Sequence, residues 1–144
     1  MTYPDAAVIK ALNENFVPVQ LDVSKESKRL DQYQVIWTPN INVVDHRERV
    51  YFHLEGWLPP AEFTAMLHCG RGHYDLHTKR FEQAVNSFQR VFDDFPQSEF
   101  APEALYYAAV GKYLSSHEAD RLMEGWDRLQ RRYPTSAWAH RTRV

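Results

Sequence analysis

"VIWTPNINVVDHRERVYFHLEGW" (residues 35–57) reads as loop, strand, turn, strand. "NINVVDH" and "RVYFHLEG" form a hairpin that turns across Asp45 to Glu48. Alternation puts Val50, Phe52 and Leu54 on one face and Tyr51, His53 and Glu55 on the other. Gly56 ends the second strand, and Pro59 and Pro60 lead into the helix "AEFTAML". Upstream, "PDAAVIKALNEN" predicts a helix opened by Pro4 and Asp5, with Val8, Ile9 and Leu12 facing inward. "FVPVQLDV" alternates with period two, so Val17, Val19, Leu21 and Val23 share a face; Pro18 lacks a ladder donor and makes this an edge strand. "SKESKRLDQYQV" predicts a short helix with Ser24 as N-cap and Leu30 and Tyr33 inward. The front half therefore runs helix, strand, helix, strand, strand, helix.

The back half has no strand pattern and repeats itself. "FPQSEFA" (95–101) matches "YPTSAWA" (133–139), and Pro96 and Pro134 stand 38 residues apart. At the same offset Phe88 falls over Trp126 and Val91 over Leu129. A helical repeat of this length closed by proline points to stacked helix pairs. The predicted helices are 61–78, 80–94, 102–115 and 118–132, with a fragment from 136. In "EALYYAAVGKYL" the residues Ala104, Ala108 and Gly111 make a small-residue stripe that admits a neighbouring helix, while Tyr106 and Tyr113 lie on other faces.

Composition narrows the function classes. The 144 residues carry a net charge of −2 with both signs interspersed, which argues against a large nucleic-acid surface. No apolar run is long enough for a membrane span, and the residues after Met1 do not form a secretory leader, so a cytoplasmic location is expected. There is no Gly-x-Ser-x-Gly, phosphate-binding glycine loop or His-Glu-x-x-His, and no cofactor is expected. Cys69 is the single cysteine and has no resolving partner. Cys69, His73 and His77 would share a face of one helix, but the first and last stand about 12 Å apart along its axis. No metal site and no catalytic residue are predicted.

Residues 3–68 resemble the thioredoxin-like superfamily, in the branch where a Cys-x-x-Cys segment precedes the stretch that reads here "TYPDAAVIKALNENFVPVQLD". The Thr-Pro at 38–39, the hairpin and the glycine of "LEGW" follow in the family's order. The resemblance implies that Pro39 follows a cis bond, that Thr38 offers backbone groups to an extended peptide and that Trp37 forms an exposed wall. The Cys-x-x-Cys turn and a central strand of that fold are missing. A shortened chain that compensates by homo-oligomerisation through strand complementation is therefore expected.

Residues 72–134 resemble tetratricopeptide repeats: Gly72, Ala84, Phe88 and Pro96 take that family's small, small, aromatic and closing positions, and Trp126 and Pro134 recur in a second copy. Together the two resemblances imply an α/β unit over 1–68, incomplete and three-stranded, followed by an all-α helix-pair array over 69–144. The expected function is a non-catalytic protein- or peptide-binding adaptor, with Trp37, Thr38, Pro39, Tyr106 and Tyr113 lining its groove. The alternative is a thiol-disulfide oxidoreductase whose Cys-x-x-Cys segment is missing from this chain.

Overall fold

A computed structural model describes residues 3–143. Met1, Thr2 and Val144 lie outside them, and with Thr2 the first residue of the stretch compared above. The described residues form seven helices and one two-stranded antiparallel sheet. Among the described residues no helix is long and apolar enough to cross a membrane.

Helix α1 (Ala6–Asn15) starts where Asp5 accepts hydrogen bonds from the backbone of Ala7 and Val8, at 2.9 and 3.2 Å. This is the usual N-cap arrangement. Val8 and Ala11 are buried and Leu12 packs beside them, but Ile9 is 44% exposed instead of inward. At 100° per residue the buried stripe passes through 8, 11 and 12, and position 9 falls off it.

The chain then departs from the sequence expectation. Residues 16–22 join no ladder, so the sheet has two strands where three were expected. Val17 and Val19 are 90% and 75% exposed. Alternation prepares a segment for pairing, but a strand also needs a neighbour's backbone, and none of the described residues supplies one. Ser24 is not a helix cap. Its backbone and hydroxyl both donate to Asp22 Oδ1, at 2.9 and 2.7 Å, which closes a local turn. The next helix, α2, is short and begins later, at Ser27–Gln32. It lies against no other described helix or strand. Arg29 and Gln32 tether it to the Glu48 carboxylate.

Strands β1 (Asn40–Val44) and β2 (Val50–Glu55) pair antiparallel, Asn40 opposite Glu55 and Val43 opposite Phe52. The register then slips, so that Val44 faces Val50 and Tyr51 is the extra residue of a bulge. Alternation had put Tyr51 on the face away from Phe52. With the bulge, both rings reach one helix: Tyr51 meets Tyr74 at 5.2 Å between centroids, and Phe52 stacks on His73 at 5.5 Å.

Asp45 organises the turn. Its carboxylate accepts from the backbone of Arg47 (2.8 Å) and Arg49 (3.0 Å), from Arg49 Nε (2.8 Å) and from the Tyr51 hydroxyl (3.1 Å). Burial alone would raise this carboxyl, but these donors, led by the Arg49 backbone, together outweigh it and hold its pKa far below the ordinary value of 3.8. A depressed carboxyl adds stability that is fully present above 3.8 and is lost as pH falls toward the folded value. Protection of the β1 and β2 amides is therefore expected to weaken with acid below pH 3.8. Hydrogen exchange corrected for intrinsic rates checks this, and Asp45→Asn should flatten the acid dependence. An equally steep loss in that variant would assign the effect to other groups.

Helix α3 (Pro60–His77) begins with Pro60 in its first turn, where the missing N–H costs nothing. It packs on α1, β1, β2, α4 and α5, and is buried without interruption from Phe63 to Gly70. The boundary drawn at 68/69 lies inside this helix.

Helices α4 (Phe81–Asp94), α5 (Ala101–Ser116), α6 (Ala119–Arg132) and α7 (Ala137–His140) follow, within a few residues of their predicted limits. Each of α3 to α6 packs on the next. The repeated heptapeptide now has a physical reading. Phe95 and Tyr133 end one helix as C-caps, and the proline after each prevents its continuation. The serine two positions after each proline bonds back to the aromatic's carbonyl through its N–H, and its hydroxyl accepts from Phe100 N (3.1 Å) or Ala139 N (3.0 Å) at the next helix start. Ala101 and Ala139 then enter the core at 0% exposure. The Tyr133 hydroxyl donates to Pro96 O at 2.7 Å, so one copy is bonded to the other.

Candidate functional site

Residues 36–38 hang between two backbone anchors. Val35 N donates to Leu30 O at 2.9 Å, and Gly56 N donates to Pro39 O at 2.8 Å. Between them Ile36 is 85% and Trp37 69% exposed, and Thr38 is exposed as well. Trp57, next to Gly56, is 63% exposed, so each residue of the Pro39–Gly56 bond has an exposed tryptophan within two positions along the chain. Gly56 has φ +99°, a conformation that a side chain would strain. The Thr38–Pro39 bond is cis, as the resemblance implies.

Strand β1 runs directly from this loop. Ile41 and Phe52 turn toward the core. Asn40, Asn42, His53 and Glu55 make a polar network on the other face, with Asn42 Nδ2 donating to Asn40 Oδ1 at 2.8 Å and His53 Nδ1 2.9 Å from Asn42 Oδ1. Within the described residues, β1 pairs with β2 alone, and its second edge keeps backbone donors and acceptors without a protein partner. Such an edge is a template for an added strand.

Tyr106 and Tyr113 lie elsewhere, on α5. Tyr106 stacks on Trp126 at 5.3 Å and 20°, and also meets Tyr107 and Trp138. Tyr113 is half-buried. Among the described residues no hydrogen bond or ring contact joins either tyrosine to Trp37, Thr38 or Pro39. The hairpin rests on α3 and makes no strand contact with α5.

Cys69 is fully buried. Burial, and after it the Glu103 carboxylate, pushes its thiol well above the ordinary value. His77 takes a different direction from the other two members of its predicted trio, for its Nδ1 is 2.8 Å from the His73 carbonyl one turn back. Glu103, from α5, comes in its place: one ligand atom each from Cys69, His73 and Glu103 lie within 4.8 Å of one another. Sequence reading missed Glu103 because it is thirty residues from His73 and no local pattern links them. It also did not single out Ile36 and Trp57, which are exposed apolar side chains like Trp37.

Comparison of the chain with protein-family models, with curated proteins and with solved structures gave no match.

Proposed function

We propose that this chain is a non-catalytic adaptor that binds a protein or peptide segment by strand addition. In this reading residues 3–68 are a redox-inactive thioredoxin-like unit and the helices behind it are tetratricopeptide-type pairs. The observation that carries it is the open edge of β1 beside the exposed Ile36, Trp37 and Trp57. Main-chain hydrogen bonds to that edge supply affinity, and the indoles give apolar side chains of the ligand a surface to cover. The caps and bonds of the repeated heptapeptide, and the sequential stacking of α3 to α6, support the second half of the reading.

The competing oxidoreductase chemistry has little to work with in this chain. Disulfide exchange starts from an accessible thiolate. Cys69 is enclosed, and its surroundings favour the protonated thiol.

A displayed library of short random peptides, panned on the immobilised chain, tests the adaptor reading. Selected peptides should slow amide exchange along Asn40–Val44, and Trp37→Ala should weaken their binding about tenfold or more, as for an aromatic anchor. Peptides that bind Trp37→Ala equally well, or that leave β1 exchange unchanged, would remove the proposal. A second copy is the other candidate occupant of the same edge. If it pairs there, sedimentation will show a concentration-dependent dimer that the selected peptides dissociate.

A further inference from the structure

Three unlike donor groups meet between α3 and α5. Cys69 and His73 are four residues apart on α3, so their side chains leave the same face of the helix. Glu103 stands in the first turn of α5 and reaches across from the neighbouring helix. His73 Nε2 is 2.9 Å from Glu103 Oε1, and the Cys69 sulfur completes a set whose ligand atoms lie within 4.8 Å of one another. In a tetrahedral zinc site with bonds of about 2.0–2.3 Å, neighbouring donors are about 3.3–3.6 Å apart. Small side-chain rotations therefore close this set around an ion.

The surroundings favour a cation. The rings of Phe52, Phe88 and Tyr107 pack around the His73 imidazole, with centroids 5.5, 5.2 and 4.6 Å away. They exclude water and strengthen any charge interaction inside. Burial, and after it repulsion by the Glu103 carboxylate, keeps Cys69 protonated in the free chain; a dication between the two groups removes that repulsion and lets the thiolate form. Glu103 keeps 17% of its side chain exposed, which leaves an entry for an ion and for a water ligand. Thiolate, imidazole and carboxylate together suit zinc better than the hard cations magnesium and calcium, whose ligands are oxygens.

We propose that Cys69, His73 and Glu103 bind a zinc ion, with water in the fourth position, and that the ion clamps α3 to α5. On binding, the Zn–S bond forms as the thiol proton passes to solvent. The ion replaces the hydrogen bond between His73 Nε2 and Glu103: a proton on Nε2 leaves to solvent, and the ligating imidazole is neutral with its one remaining proton on Nδ1. Such a clamp ties the first helix of one pair directly to the first helix of the next. It stands independently of peptide binding at β1.

Cobalt(II) chloride, added to the chelator-stripped full chain under reducing conditions, is the test. The sequence contains one cysteine, so a thiolate-to-cobalt charge-transfer band can arise only at Cys69. The band should saturate at one ion per chain and disappear when zinc is added. Glu103→Gln, which keeps the side chain's shape, should weaken zinc binding by about tenfold or more in calorimetric titration. A folded wild-type chain that takes cobalt without the band would overturn the proposal. So would zinc affinity unchanged in Cys69→Ser, which places the ion on surface histidines, or unchanged in Glu103→Gln.

Discussion

Phe88→Ala is expected to lower the free energy of unfolding by about 3–5 kcal/mol. Its ring is completely buried in the angle between α3, α4 and α5. It meets His73 edge-on at 5.2 Å and lies nearly parallel to Tyr107 at 5.9 Å. Beneath it is Gly72, where an added Cβ would fall 2.6 Å from the ring, so the glycine is what lets the ring sit against the backbone of α3. Removing the ring leaves a cavity whose α3 wall at Gly72 is backbone, and that side relaxes poorly. Domains of this size are stable by about 5–15 kcal/mol, so the loss takes a large share of the total. Urea denaturation of wild type and variant, compared at equal m-value, measures it. A loss below about 1 kcal/mol would mean that the site collapses easily and that Phe88 is not the keystone of the first helix pair.

The second large effect belongs to the next pair. A Cβ on Gly125 would lie 2.4 Å from the Ala109 Cβ and 3.3 Å from its Cα. Both atoms are fixed to the backbone of α5, so no rotamer change can relieve the overlap and the two helices must part. Gly125→Ala should cost about 1–3 kcal/mol, although alanine is otherwise favoured over glycine in a helix by about 1 kcal/mol. Ala109→Gly alone should also destabilise, through backbone entropy and lost contact. The two changes together exchange the single methyl across the interface. The double variant should therefore recover much of the loss, a coupling that a double-mutant cycle reads directly. Simple additivity of the two losses would show that α5 and α6 do not depend on this close approach.

Most of the helical half was legible because its signals are local. Proline, serine and the aromatic of each heptapeptide act on their own neighbours, so the same spacing gave the same turn: Ser98 and Ser136 each bond back to the aromatic's carbonyl and accept from the backbone two or three residues on. The small-residue stripe was equally readable: Ala104, Ala108 and Gly111 are all buried, and a Cβ on Gly111 would meet Val85 at 2.9 Å. The front half resisted for the opposite reason. Whether 16–23 becomes a strand depends on a partner outside the segment, and its alternation is the same with or without one. The bulge at Tyr51 shifts a register by one residue, which no periodicity can announce. Of the candidate sites, the loop at Trp37–Pro39 was readable from its residue types. The convergence of Glu103 on Cys69 and His73 was not, because it exists only after α5 has docked on α3.

One feature of α3 reaches beyond its own packing. The hairpin reaches its last turns, where Tyr51 meets Tyr74 and Phe52 stacks on His73, and Phe88 of α4 and Tyr107 of α5 close on the same His73, so the two sets of walls overlap with no unstructured connector between them. Scissors applied between His68 and Cys69 would cut through its most enclosed stretch and strip each fragment of half its wall. The strand-bearing front and the helical rear are therefore tenants of one beam, and neither can be evicted to study the other.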